Sequence, residues 1–586
     1  MKLMKQMQYY MVTIVSIYLL MSGSTYLMLY ILSFIFPINF GLYTADIGIV
    51  ALNIILSIVA IFSGIFLKEG SNIARILATV YAITRMINFP YGTIIGVFIL
   101  IVLYVISADI FERKIKRYTL IGLILFVIGF IPFLFFSGVA FSSYEKIFPA
   151  QYTNDPYMKL CFDYNETDAN NFIVVLTNPS GIQAYEQQNM VIQEIENIGL
   201  VIRNRFYYTI NAINVIGSKD KILELAGKGY VKEIYENNII PSDDLYLDET
   251  TPEEYETFIN ESRKILNIKY LWDKGLTGNN VVVAVIDSGI NEEIFIDKVI
   301  YSAELYYDYL IDPDNNFNHG TAVANCVVGI APDVKLADIE IFFLQEINDQ
   351  HYVVSDDASI IWGFERVAEF KQQHQNYFVI ASCSFGSLTP DTWSNPCIIS
   401  ESANNLALNY GVPVIASAGN SAPLYKIGPP ASAQYVLAVA SCNKNLVPSS
   451  FSSEGPTMDG KPKPDVTNIG ENVVTINWDG TPITVSGTSF SCPLTSGIIA
   501  CLMEKYNNKK PVEIYYAMKR GCTDIYIKGF DYKTGYGFVN PVKTYQILEG
   551  MKYYRLYQYI SMLLMFAGVN IIIYSGWYPS RELKRS

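Results

Sequence analysis

At 586 residues the chain is too long for one ordinary domain, and 51% hydrophobic against only 17% charged residues is apolar for a purely soluble protein. With a mean hydropathy of +0.23, part of the chain is expected in lipid. A net charge of -13 argues against a nucleic-acid partner, because phosphate binding needs clustered Lys and Arg. The eight cysteines (Cys161, Cys326, Cys383, Cys397, Cys442, Cys492, Cys501, Cys522) show no C-x-x-C pair and no metal-ligand spacing. They read as buried small hydrophobes, with room for one disulfide if the domain faces an oxidising compartment.

In chain order, residues 1–140 read as a membrane domain. The uncharged run Met11–Phe34 is long enough to span a bilayer, and Ile47–Leu67, Ser71–Phe89, Tyr91–Ala108 and Tyr118–Phe136 follow it. A last run, Leu556–Trp577, sits in a C-terminal span over residues 551–578, before a tail at 579–586. With five N-terminal spans and a cytoplasmic N-terminus, Lys2, Lys5, Lys68, Arg75, the cluster Arg113–Arg117 and the tail's Arg581, Lys584 and Arg585 all fall inside. The short outer loops then carry no Lys or Arg, which is the positive-inside pattern. A multi-pass cell-membrane protein is expected, with everything from about Gly138 to Tyr554 extracytoplasmic.

After a linker at 141–170, Asn171–Ile240 reads as a small α+β unit. Its strands are expected at Phe172–Leu176, Ala212–Gly217 and Val231–Tyr235, its helices at Gln187–Ile198 and Lys219–Gly227. The stretch at 241–258, with Asp243, Asp244, Asp248, Glu249, Glu253 and Glu254, reads as an exposed acidic linker. From 259 to 550, short β-rich runs alternate with longer helical ones, the pattern of a parallel sheet covered on both faces.

Three segments carry chemistry. Val281–Gly289 is an apolar run ending in Asp287, as of a strand buried on both faces with a carboxylate at its C-terminal edge; a turn-capping Asp is the other reading. His319 heads a small-residue helical run, whereas His351 and His374, the other two histidines, lie in polar surroundings. Ser486-Gly487-Thr488-Ser489 brings a hydroxyl to what should be a helix N-terminus, where backbone N–H groups face a developing oxyanion. Alone, Gly-Thr-Ser reads better as a helix N-cap; beside the other two segments it does not.

Together, Asp-Ser-Gly, His-Gly-Thr-x-Val-Ala and Gly-Thr-Ser-x-x-x-Pro, in that order and at similar spacings, resemble the three signatures of the subtilisin-like serine peptidases, or subtilases. Ser417-Ala-Gly419-Asn420 resembles the family's oxyanion-hole loop. Ser384-Phe385-Gly386 resembles its substrate-pairing strand, and Phe451–Gly455, Lys463–Val466 and Gly535–Gly537 fall at later landmarks. The resemblance covers about Asn260 to Gln546. It implies a three-layer α/β/α parallel sheet, which the membrane helices read above would flank. By pattern and position, the unit at 171–240 resembles the family's ferredoxin-like, inhibitor-like propeptides, a plain accessory domain being the other reading. The family resemblance also implies catalytic Asp287, His319, Ser489 and Asn420, with Ser384, Phe385, Gly386, Ser417 and Gly419 against substrate.

Phe490, Ser491, Thr495 and Asn325 depart from usual family residues, as does Thr467–Gly470, but none removes a catalytic group. No cofactor is required. Asp312, Asp314, Asn315 and Asn316 offer oxygen ligands suited to a structural calcium, and a solvated acidic turn explains them equally. The expected partners are protein or peptide substrates and the bilayer. Two rival functions are a catalytically silent binding module, which the intact triad disfavours, and a peptidase-regulated channel or sensor, which the lack of acidic residues in the spans disfavours.

Overall fold

The computed structural model describes residues 170–241, 248–305, 319–347, 350–386, 397–423 and 426–552. The spans expected before residue 140 and between Leu556 and Trp577, the linker at 141–170, the tail, Cys161 and the acidic turn at 312–316 lie outside them. Among the described residues no helix is long and apolar enough to cross a membrane.

The chain begins with β1 (Asn171–Leu176), α1 (Ile182–Ile198), β2 (Val201–Phe206), β3 (Ala212–Ile216), α2 (Lys219–Ala226) and β4 (Val231–Glu236). The four strands form an antiparallel sheet in the order β2-β3-β1-β4, a ferredoxin-like arrangement. β1 shows why. Its alternate residues Phe172, Val174 and Leu176 pack under α1 and α2. Ile173 and Val175 face the other way, onto Ala358, Ile361 and Ile398 of the following domain, so both faces are apolar. β2 was not expected from the sequence. Arg203, Asn204 and Arg205 interrupt its apolar pattern, which an edge strand tolerates.

The acidic stretch is not one linker to residue 258. Short strands β5 (Ile239–Pro241) and β6 (Asp248–Glu249) are followed by α3 (Pro252–Leu266), which starts inside it. Thr251 and Glu254 form a capping box: Thr251 Oγ1 accepts the Glu254 N–H at 3.3 Å, and Glu254 Oε2 accepts the Thr251 N–H at 2.9 Å. Glu253 and Glu254, read as part of an exposed linker, stabilise the positive end of a helix instead.

After α4 (Lys269–Trp272) come β7 (Val281–Asp287), β8 (Val299–Glu304), α5 (His319–Ile330), β9 (Lys335–Glu340), the hairpin β10 (Phe343–Ile347) and β11 (Gln350–Asp356), α6 (Asp357–Gln373), β12 (Phe378–Cys383), α7 (Ile398–Asn409), β13 (Val414–Ser417), β14 (Leu437–Cys442) and β15 (Val466–Ile469). β16 (Val473–Ile476), β17 (Pro482–Val485), α8 (Thr488–Lys505), α9 (Pro511–Gly521) and α10 (Pro541–Lys552) complete the described chain. Seven strands pair in parallel in the order β15-β14-β13-β12-β7-β9-β8. The period of two on β7 sets the layers: Val281, Val283 and Val285 pack with α5 and α8, and Val282, Ala284 and Ile286 with α6 and α7. Parallel pairing brings every strand's carboxyl end to one edge, where Asp287, Ser384 and Ser417 lie.

The ferredoxin-like unit docks on α6 and α7 through its apolar face and through buried carboxylates, among them Asp356 and Asp357, which accept from Asn237 and Asn238, and Glu365. Glu365 accepts the backbone N–H groups of Tyr207 and Tyr208 at 2.8 Å, that of Thr209 at 2.5 Å, and the Thr209 hydroxyl at 2.6 Å. Glu365→Ala should leave these donors without an acceptor and cost roughly 3 kcal/mol or more. The expected signature is faster hydrogen exchange at residues 207–209 and an earlier thermal loss of the 171–240 unit. Unchanged exchange would show that the unit docks without this carboxylate.

Candidate active site

Asp287 closes β7 and is buried. Its Oδ1 accepts the N–H of Ser288 at 2.8 Å and lies 2.7 Å from His319 Nδ1. This contact fixes which ring nitrogen carries the hydrogen towards the carboxylate, and leaves Nε2 as the basic nitrogen. The two segments are also joined at the backbone, where Gly320 N–H donates to Ser288 Oγ at 3.1 Å. The approach needs two glycines. Gly289 has φ +95°, and a Cβ on Gly320 would stand 2.3 Å from the Gly289 carbonyl oxygen.

Ser489 is the second residue of α8, and the adjoining Phe490 ring lies 5.6 Å from the His319 ring, so the structure brings the two segments together. Pro493 sits inside α8, one turn after Ser489, and has no N–H for the Ser489 carbonyl. That carbonyl accepts instead from Ser384 Oγ at 2.8 Å. In return the Ser489 hydroxyl donates to the Ser384 carbonyl at 3.1 Å.

Asn420 is oriented by Thr488. Its Oδ1 accepts the Thr488 N–H at 2.8 Å and the Thr488 hydroxyl at 2.9 Å, and the same hydroxyl accepts Gly419 N–H at 3.1 Å. With Oδ1 held on that side, Nδ2 lies towards Gly487, 3.4 Å from where a Cβ there would be. An amide donor and the start of a helix thus flank the Ser489 hydroxyl, the arrangement that stabilises an oxyanion. Ser384 and Ser417 flank the same edge; Ser417 Oγ donates to the Phe385 carbonyl at 3.3 Å, and Gly386 is exposed.

Three supporting residues escaped the sequence reading. Thr488 lay in view inside Gly-Thr-Ser, but its role as the clamp of Asn420 is a matter of geometry. Ser288 was read only as part of a signature. Asp338, a buried carboxylate on β9, had one signal: an acid inside the alternating run Lys335–Glu340. The thiols nearest the site are not rival nucleophiles. Burial pushes Cys492 up to about 12 and Cys383 well above the ordinary thiol range, so neither is a thiolate at neutral pH. No disulfide joins the seven described cysteines. Among the described residues no group of three or more His, Cys, Asp or Glu could hold a metal ion.

A model of the subtilase family matches residues 278–537. The chain is 27% identical over 381 residues to fervidolysin of Fervidobacterium pennivorans, covering 56% of this chain and 52% of that protein. It is 27% identical over 282 residues to the serine protease AprX of Bacillus subtilis, covering 42% and 62%. The chain spans about half the length of the curated relatives it matches. The crystal structure of fervidolysin superposes with a TM-score of 0.50 at 19% identity, covering 68% of this chain and 62% of that one. The fold is therefore subtilisin-like, with a parallel sheet.

Gly320→Ala tests the close approach on which the Asp287–His319 contact depends. A displacement of about 1 Å at a reacting group can cost about 10²-fold. The variant should remain folded by circular dichroism but label with a fluorophosphonate about a hundredfold more slowly. A wild-type labelling rate would mean that the approach at Gly320 is not limiting.

Proposed function

We propose that the subtilase-family segment at residues 278–537 is a working serine endopeptidase, and that the whole chain is a membrane-anchored, extracytoplasmic enzyme. The observation that carries the first part is the 2.7 Å Asp287–His319 contact, set beside Ser489 at a helix start. In this reading His319 takes the Ser489 proton as the hydroxyl attacks the scissile carbonyl, and Asp287 stabilises the imidazolium. Asn420 Nδ2 and the Ser489 N–H stabilise the tetrahedral oxyanion. His319 then protonates the leaving amine, and water resolves the acyl-enzyme. The serine protease description of the relative AprX supports the same reaction class. Protein or peptide precursors outside the cytoplasm are the proposed substrates, and the bilayer the proposed partner.

Ser489→Ala should abolish both proteolysis and fluorophosphonate labelling; a labelled mutant would remove Ser489 from the mechanism. Asn420→Ala should fold and lose about 10²–10³ in kcat, the fall known for the side-chain oxyanion donor of subtilisin itself.

The ferredoxin-like unit is proposed to act as an inhibitory propeptide that the enzyme cuts away. Support comes from the path of the chain. β5 pairs antiparallel with β11, Ile240 is buried in the peptidase core, and β6 pairs with β17 on the far side of residues 242–247. A cut within 240–256 would part the N-terminal spans from the catalytic domain, while the run Leu556–Trp577 keeps that domain on the membrane. Immunoblots against both termini should show two fragments in wild type and one in Ser489→Ala, with residues 171–546 digested by protease added to spheroplasts. Fully active, full-length wild type would make the unit an accessory domain, and protection in intact spheroplasts would reverse the topology.

A further inference from the structure

A carboxylic acid that takes no part in the steps above lies directly behind the Asp287 turn. Asp338, in the middle of β9, is buried on the α5 face of the sheet, level with Val285 of β7. Its Oδ2 accepts the Ile290 N–H at 3.0 Å, while its Oδ1 has no hydrogen-bond partner. Such a group is expensive to bury. Its surroundings make it more so: Asp287 on β7, Glu292 beyond the turn and Glu304 on β8 all oppose its charge. On its own strand, Glu340 lies 2.9 Å from where a Cβ on Gly289 would stand. His319 of α5, a cationisable group on this side, is already held by Asp287. Burial, reinforced by these carboxylates, pushes Asp338 up to about 7. An apolar residue there would pack without any of this, so a site that keeps the acid is a place to look for a role in the chemistry.

The role follows from how the turn is held. The Asp287 carbonyl accepts Ile341 N–H at 2.9 Å, and Ser288 N–H is taken by Asp287 itself at 2.8 Å. Ser288 Oγ and Thr321 Oγ1 tie the turn to α5, accepting Gly320 N–H at 3.1 Å and Asn291 N–H at 2.9 Å. Between these ties lies Gly289 at φ +95°, a conformation without side-chain restraint. The next residue, Ile290, is buried, so its N–H has no water to turn to, and Asp338 is the acceptor. Without it the turn would pivot at Gly289, carrying Asp287 out of line with His319.

Resting on the peptidase reading above, we propose that Asp338 is a positioning residue for the reaction: from strand β9 it accepts the Ile290 N–H and so fixes the turn that aims Asp287 at His319. It touches neither substrate nor the reacting atoms. Its effect is on the rate of the chemical step, and substrate affinity is left alone. The requirement is for an acceptor oxygen at that point, not for a charge, so an amide should serve.

The test uses the full-length protein as wild type, Asp338→Asn, Asp338→Ser and Ser489→Ala. It measures kcat and KM on fluorescein-labelled casein, the rate and end point of fluorophosphonate labelling, and thermal unfolding. Asp338→Ser, too short to reach Ile290, should lower kcat and labelling rate by about tenfold or more, with KM within about twofold and an unchanged labelling end point. Asp338→Asn should return both rates to within about threefold of wild type. The proposal is overturned if Asp338→Ser keeps the wild-type kcat, if its loss appears only as a lower labelling end point, or if KM rises in place of the fall in kcat. Should Asp338→Ser not fold, Asp338→Asn decides alone. A folded Asn variant slowed tenfold overturns the proposal, and one near wild type upholds it. Labelling of Ser489→Ala would sink the peptidase reading itself, whereas an unlabelled Ser489→Ala beside a fully active Asp338→Ser would sink only this inference.

Discussion

The 2.7 Å contact between Asp287 and His319 joins the last residue of a strand to the first residue of a helix. Neither element could offer its side chain without the parallel sheet. β7 sits between β12 and β9, buried on both faces, and ends at the edge where all seven strands end. α5 packs on one face of that sheet beside α8, which brings Ser489 to the same edge from a point far along the chain. The apolar layering is thus what converts three distant segments into one site. The polar contacts then refine it: Gly320 to Ser288, Thr488 to Asn420, and Ser384 to the Ser489 carbonyl that Pro493 leaves without a helical donor.

Much of this was legible before any coordinates. The run Val281–Val285 reads as a strand buried on both faces, as β7 is, and the order of the three segments matches the family resemblance. Other features were hidden for identifiable reasons. β2 carries two arginines because an edge strand need bury only part of its surface. The start of α3 reads as linker because acidic residues suit both a solvated linker and the first turn of a helix. The deciding signal, Thr251 followed by Pro252 and by Glu254 three residues on, was present but outweighed by composition. Glu365 could not be found at all: it is an ordinary glutamate in a helix until the fold lays residues 207–209 across it. A site made by long-range docking leaves no local pattern.

Glu365 and Asp338 share a logic that the buried Asp465 does not. Asp465 faces Lys463 at 2.6 Å and Lys519 at 2.7 Å, and although burial pushes its carboxyl up, the two ammonium groups hold it below the ordinary range. It is a charged joint, neutralised by cations. Glu365 has four donors and no cation, so burial drives it upward against its hydrogen bonds from Thr209, Tyr208 and Tyr207. Asp338 has a single donor and several carboxylate neighbours, and burial pushes it up to about 7. The protein thus uses acidic side chains inside its core in two ways. Where cations are at hand, the carboxylate locks strands and helices together as an ion-pair network. Where they are absent, it serves as an acceptor for backbone N–H groups that no secondary structure can satisfy. The second use is found where the chain must break its regular pattern, at the turn after Asp287 and at the loop by which the ferredoxin-like unit docks. Buried acceptors without cations therefore mark the points where this fold holds backbone N–H groups that its strands and helices leave over.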